Sequence, residues 1–250
     1  MNLNRIFINI KCQSDCMLDY NYQYDLLKTL YGAYTAQNEA NSKLFHEVGF
    51  IMEHKKFKLI NTCLIFENSE MVKEGIKLKE GEEIKIMISG VEHVINEIVK
   101  GFIKINKFSI RDCKFEVKGL TNDKKINFKR VVLNKVLTIV VESKFTDGKI
   151  EYLSVYDKRF YETLAQNLKR KYKLIYDEEF KDELYFDIEN VLSAKKKKIN
   201  GIKKDGYLKG YGNFNIWIQT NIKMQKVAYY CGIGQNNMLG AGALLHLTSR

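Results

Sequence analysis

Apolar and polar residues alternate along Arg5–Cys12 (RIFINIKC), the period of two expected of a strand with one buried face. The period lengthens over Asp19–Tyr34, where Tyr24, Leu27, Tyr31 and Tyr34 recur at helical spacing. Asn41–Val48 (NSKLFHEV) predicts a second, short helix with Asn41 or Ser42 as its N-cap, and Gly49–Lys56 a polar loop. Phe57–Phe66 (FKLINTCLIF) and Glu83–Ser89 are β-branched runs bounded by turn residues and predict strands. Helical periodicity returns over Val91–Ile105, and Phe108–Val117 alternates again. The first half thus reads βαββαβ with one extra short helix.

A polar, turn-rich linker follows at Gly119–Asn127. The same order then repeats: strand Val131–Val141, helix Asp157–Lys173, strand Glu183–Val191, strand Tyr207–Gln219, helix Asn221–Cys231 and strand Gly242–Thr248. Gly210 and Gly212 interrupt the Tyr207–Gln219 run, as at a bulge or a close backbone approach. Two βαββαβ units predict an α+β chain of two tandem ferredoxin-like domains, residues 1–120 and 128–250, with antiparallel sheets. That fold alone does not name a function, and the aromatic pattern of an RNA-recognition motif is not found on these strands.

Length and charge narrow the picture. A chain of 250 residues can bury a real core in one large or two small domains. Its formal charge of +11 points to a polyanionic partner, most often nucleic acid. The charge is uneven: residues 1–125 hold 19 Lys and Arg against 17 Asp and Glu, residues 126–250 hold 22 against 13. Five scattered cysteines without Cys-x-x-Cys spacing predict reduced thiols rather than disulfides or a zinc site. With widely spaced histidines, no apolar run of membrane-spanning length and a strand-like start (MNLNRIFINIKCQ), the expected setting is cytoplasmic, without metal, cofactor or membrane.

Three stretches carry candidate chemistry. Gly232, Gly234, Gly240 and Gly242 form two Gly-x-Gly pairs in GIGQNNMLGAG. A helical run precedes them and a strand follows, the reverse of a dinucleotide-binding turn, and no Gly-Lys-Ser/Thr marks a P-loop. Ala194–Lys209 holds Lys195, Lys196, Lys197, Lys198, Lys203, Lys204 and Lys209, a segment suited to phosphate contact with Tyr207, Tyr211, Phe214 and Trp217 close by. Its plain alternative is a solvated charged segment. Finally, His46 can give and take protons near neutral pH, and Tyr31 and Lys58 add a hydroxyl and a cation nearby in the sequence. RNA scission by 2′-hydroxyl attack needs those side-chain types and no metal. A structural histidine and a core-facing tyrosine are the plainer alternatives.

The C-terminal run GYLKGYGNFNIWIQTNIKMQKVAYYCGIGQNNMLGAGALLHL resembles the CRISPR-associated endoribonucleases that cut precursor CRISPR RNA within its repeats, members of a tandem ferredoxin-like, repeat-associated RNA-binding superfamily. Gly232, Gly234, Gly240 and Gly242 match the family's glycine pattern, and NYQYDLLKTLY, FHEVGF and FKLINTCLIF are similar to its first helix, histidine segment and following strand. The resemblance implies that Tyr31 assists deprotonation of the 2′-hydroxyl, His46 protonates the leaving 5′-oxygen and Lys58 stabilises the phosphorane. The products would be a 2′,3′-cyclic phosphate and a 5′-hydroxyl. Lys55 and Lys56 compete for the role of Lys58, and His54 for that of His46. The loop centre QNNML is uncharged where the family often carries Lys or Arg, which leaves contact through backbone N–H groups. The implied partners are repeat RNA and, beyond it, other CRISPR effector subunits or a second copy of the chain. The alternative is a non-catalytic repeat-RNA-binding subunit.

Overall fold

The computed structural model describes residues 1–37, 50–52, 55–200 and 206–249, so the predicted helix Asn41–Val48 lies outside the described residues. The first half contributes β1 (Leu3–Cys12), β2 (Cys16–Leu18), α1 (Gln23–Gln37), β3 (Phe50–Met52), β4 (Lys55–Phe57), β5 (Ile60–Ile65) and β6 (Glu70–Val72). It continues through β7 (Gly75–Leu78), β8 (Glu83–Val91), α2 (Glu92–Ile105), β9 (Lys107–Ile110) and β10 (Cys113–Asn122). The second half contributes β11 (Val131–Val136), β12 (Ile139–Val140), β13 (Ser143–Thr146), β14 (Lys149–Tyr152), α3 (Lys158–Tyr176), β15 (Tyr185–Glu189) and β16 (Lys195–Asn200). It ends with β17 (Tyr207–Gly212), β18 (Asn215–Gln219), α4 (Ile222–Cys231) and β19 (Leu244–Ser249).

Two antiparallel sheets organise these elements, in the orders β5-β8-β1-β10-β9 and β15-β18-β11-β19. Taking the four main strands of each half in chain order, both sheets run second, third, first, fourth, as in a ferredoxin-like fold. The α+β expectation is met. Ile6, Ile8, Ile10 and Cys12 of β1 form one core with Leu26, Leu30 and Ala33 of α1 and Ile95, Ile98 and Phe102 of α2. The spacing of those α2 residues is why the segment coils: three, four and seven residues apart place them on one face. A second core packs Ile216 and Ile218 of β18 against Phe160, Leu164 and Leu168 of α3 and Met224, Val227 and Ala228 of α4. Asp157 and Asn221 cap these two helices, accepting from the backbone N–H of Arg159 and Met224.

The back of the first sheet is covered by the second half. Phe7, Cys63 and Met87 pack with Leu137 and Ala243. Beside them Arg5, with no exposed surface, donates through Nη1 to Leu244 O (2.9 Å) and through Nη2 to Tyr229 O (2.6 Å). Its guanidinium lies 3.6 Å from the centre of the Tyr229 ring, whose hydroxyl donates to Asp123 Oδ2 at 2.8 Å. Burial lowers the Arg5 pKa from its ordinary value, and Asp123, 3.9 Å from Nε, pulls it back up.

Several expectations are corrected. Phe57–Phe66 is not one strand: Leu59 takes a positive φ of 50° and separates β4 from β5. Tyr207–Gln219 splits at Asn213 (φ 63°) into β17 and β18, which belong to different sheets; its two glycines mark a close backbone approach rather than a bulge, since a Cβ at Gly210 would stand 2.5 Å from Val140 O and one at Gly212 2.3 Å from Thr138 O. The predicted linker starts too early, because β10 pairs with β1 as far as Asn122 opposite Ile6. Nor are all the thiols reduced. Cys16 and Cys113 form a disulfide across a sequence separation of 97, their Cα atoms 5.6 Å apart in a tertiary proximity that cysteine spacing does not reveal. Cys12, Cys63 and Cys231 are free and buried. Among the described residues no helix is long and apolar enough to cross a membrane.

Candidate active site

Tyr31 sits in the second half of α1, one turn beyond Leu27, on the edge of the apolar stripe that packs α1 into the first core. It is half-buried, and burial raises its pKa above the ordinary tyrosine value, so the phenol keeps its proton at neutral pH. Lys58 lies in the break between β4 and β5, where the Leu59 kink turns the chain. Both residues line one cavity of about 620 Å³. Its opposite wall comes from the second half: Gly234–Leu239, Asn167 and Lys171 of α3, and the β13–β14 hairpin. The glycine loop, more than two hundred residues downstream of Tyr31, is therefore its neighbour, with Met238 Sδ 4.0 Å from the Tyr31 hydroxyl.

The loop is shaped from within. All four of its paired glycines are buried. A Cβ at Gly242 (φ 71°) would stand 1.7 Å from Ile233 O, and one at Gly232 (φ 73°) 2.1 Å from Asn61 Nδ2, so side chains are excluded at both. The backbone N–H of Ile233, Gln235 and Gly242 donate to Gly242 O, Val141 O and Ile139 O at 3.0, 2.8 and 2.6 Å. These N–H groups hold the fold and are turned away from solvent partners; the exposed part of the loop is Asn236, flanked by half-buried Gln235 and Asn237. Lys171 reaches the loop from behind. Its Nζ donates to Gly232 O (2.8 Å), Gly234 O (3.1 Å) and Asn237 Oδ1 (2.6 Å). Burial depresses its pKa to about 8, partly offset by Cys231 and Glu142.

Lys195, Lys196, Lys197, Lys198 and Lys209 do not line this cavity. His46, His54, Lys203 and Lys204 lie outside the described residues, and Lys55 and Lys56 are placed as backbone of β4. Lys195, Lys196, Lys197 and Lys198 are exposed along β16, which pairs with β17. Lys198 and Lys209 hold their ammonium groups 4.5 and 4.7 Å from the Tyr207 ring centre, a cation–π arrangement. Lys197 and Lys198 open onto a different cavity of about 610 Å³, with Tyr20, Tyr22 and Gln23 on its other side.

Residues 17–121 match the family described as CRISPR-associated protein Cas6, N-terminal, and residues 120–245 match CRISPR associated protein Cas6, C-terminal. The chain belongs to the Cas6 family. It is 28% identical over 252 residues to CRISPR-associated endoribonuclease Cas6 1 of Methanocaldococcus jannaschii, covering 98% of this chain and 94% of that protein. Solved Cas6 structures share its fold. One CRISPR associated protein Cas6 aligns with a TM-score of 0.79 at 24% identity, over 99% of this chain and 100% of the other. A Cas6-related protein from Pyrococcus furiosus aligns with a TM-score of 0.81 at 22% identity over the whole of both chains. A RAMP protein that binds different RNA substrates reaches 0.82 at 18% identity, over 98% of this chain and 100% of that one.

Within this Cas6-family chain two parts of the cavity wall escape a reading of the sequence by pattern, although both leave a trace in it. Lys171 falls on the α3 stripe formed by Leu164, Leu168 and Ile175, a lysine where the helical period calls for an apolar residue. The β13–β14 hairpin is announced by Asp147-Gly148 between alternating residues, the dipeptide that suits a two-residue turn with both φ angles positive (here 50° and 76°).

Proposed function

We propose that this chain is an endoribonuclease that cuts precursor CRISPR RNA within its repeats, without a metal ion, by attack of a ribose 2′-hydroxyl on the adjacent phosphorus. The O2′–P bond forms, the P–O5′ bond breaks, and the products are a 2′,3′-cyclic phosphate and a 5′-hydroxyl. Tyr31, protonated at neutral pH, accepts a hydrogen bond from the 2′-hydroxyl, and so orients it and assists the passage of its proton to water as the O2′–P bond forms. Lys58 balances charge on the phosphorane, and His46 delivers the proton to the departing O5′. Lys195–Lys198, Lys203, Lys204 and Lys209 hold the RNA backbone away from the cut, and the exposed face of the glycine loop around Asn236 bounds the reacting phosphate. Gly232, Gly234, Gly240 and Gly242 serve RNA by giving that loop its shape.

The observation that carries this reading is the shared cavity: Tyr31 and Lys58, on different elements of the first half, both line it opposite the glycine loop. Association with other CRISPR effector subunits or with a second copy belongs to the same proposal, as does a cytoplasmic setting. The test is end-labelled repeat RNA incubated with the protein in EDTA. The expected result is a single cut leaving a cyclic phosphate, slowed about 10²–10⁴-fold by His46→Ala with binding retained. Repeat RNA bound but left intact by the wild type would point instead to a non-catalytic binding subunit and overturn the proposal.

A further inference from the structure

The β13–β14 hairpin presents an apolar pair that the fold does not use. Phe145 and Ile150 stand directly opposite each other in the ladder, yet are 75% and 60% exposed. A two-stranded hairpin is marginal alone in water, and this one is braced on three sides. At its base Ser143 Oγ donates to Gln235 Oε1 (2.8 Å) and Gln235 Nε2 donates back to Ser143 O (2.9 Å), joining it to the glycine loop. Arg159 clasps Glu151 with both terminal nitrogens, at 3.0 and 2.7 Å. Tyr152 donates its hydroxyl to Tyr207 O at 2.6 Å. A rigid support therefore holds two apolar side chains in water, on the rim of the cavity that also contains Tyr31 and Lys58.

We propose that the Phe145–Ile150 pair is a stacking platform for one nucleobase of the RNA beside the reacting phosphate. The inference rests on the nuclease reading above and adds to it a base-binding subsite. Aromatic and apolar faces take unstacked bases of single-stranded RNA, and lysines beside them take the flanking phosphates. Lys144, which lines the same cavity, supplies such a charge. Two side chains are too few for a stable protein–protein interface, which needs on the order of 800 Å² from each partner. Neither side chain has a hydrogen-bonding group, so the platform orders the strand without reading which base lies on it.

The experiment uses repeat RNAs carrying 2-aminopurine at each position in turn, with wild-type protein, Phe145→Ala and Phe145→Trp. Because Phe145 is exposed, the alanine variant keeps the fold, checked by its melting curve. One position, next to the cut, is expected to change fluorescence on binding wild type and Phe145→Trp but not Phe145→Ala, whose Kd rises about 5- to 100-fold. Phe145→Ala binding within twofold of wild type, or no position whose signal depends on Phe145, overturns the inference. So does a dimer in the wild type that Phe145→Ala dissolves with RNA affinity unchanged. Since the readout is binding, Phe145-dependent stacking without cleavage would sink the nuclease reading and leave this one standing, and cleavage without Phe145 dependence would do the reverse.

Discussion

Replacing Lys171 by Met tests the buried ammonium behind the glycine loop. The folded chain holds this lysine at a pKa of about 8 against an ordinary 10.5. In the unfolded chain the proton stays on up to about 10.5; in the folded chain it leaves near 8. Between those values the unfolded state binds more protons, so the contribution of Lys171 to stability rises with pH across the window and is lost as pH falls to 8. The full gap corresponds to about 3 kcal/mol, of which about half is gained between pH 8 and pH 9.5. Methionine fills a similar volume and does not titrate. Urea denaturation followed by circular dichroism at half-unit steps from pH 7 to 9.5 gives both stability profiles. Their difference, wild type minus Lys171→Met, should climb by about 1–2 kcal/mol above pH 8, with groups that do not interact with Lys171 cancelling because both proteins contain them. Profiles that stay parallel throughout would refute the buried, loop-bound lysine.

Other outcomes follow from the same hydrogen bonds and charges. Arg5→Met leaves Leu244 O and Tyr229 O without their donor and should cost about 3–5 kcal/mol in urea denaturation; a cost under about 1 kcal/mol would mean that the guanidinium does not join the two halves. Gly242→Ala combines a left-handed backbone with a Cβ 1.7 Å from Ile233 O, so a lowered yield of folded protein and a destabilisation of several kcal/mol are expected, read by thermal melting. Changing Lys195–Lys198 to Gln should flatten the salt dependence of RNA binding, by about 0.7 in the log–log slope for each phosphate no longer neutralised. The cleavage rate at saturating RNA should hold, because these lysines do not line the cavity of Tyr31 and Lys58.

The repeated strand–helix order was legible because alternation and helical spacing are local: Arg5–Cys12 and Val91–Ile105 announce their states without help from the rest of the chain. The breaks at Leu59 and Asn213 were not, since each depends on one non-glycine residue in a positive-φ conformation that tertiary packing imposes. The same holds at the site. Tyr31 and Lys58 stand out as residue types, but nothing local brings the glycine loop to them; that proximity follows from the second half packing behind the first sheet. The loop's glycines suggested backbone exposed to RNA, whereas in the fold they chiefly permit a close approach to Asn61 and Ile233. Lys171 stands out on the apolar stripe of its helix, but its partners, some sixty residues on, meet it only in the fold.

Arg5 also bears on how the chain is made. Its acceptor on Leu244 lies 239 residues later. At roughly 5–20 residues per second of synthesis, the guanidinium leaves the ribosome on the order of ten seconds or more before that carbonyl exists. Until then the central strand of the first sheet carries a cation whose carbonyl acceptors on Tyr229 and Leu244 are not yet made, and burying it without them carries a desolvation cost that disfavours early closure of the back of that sheet.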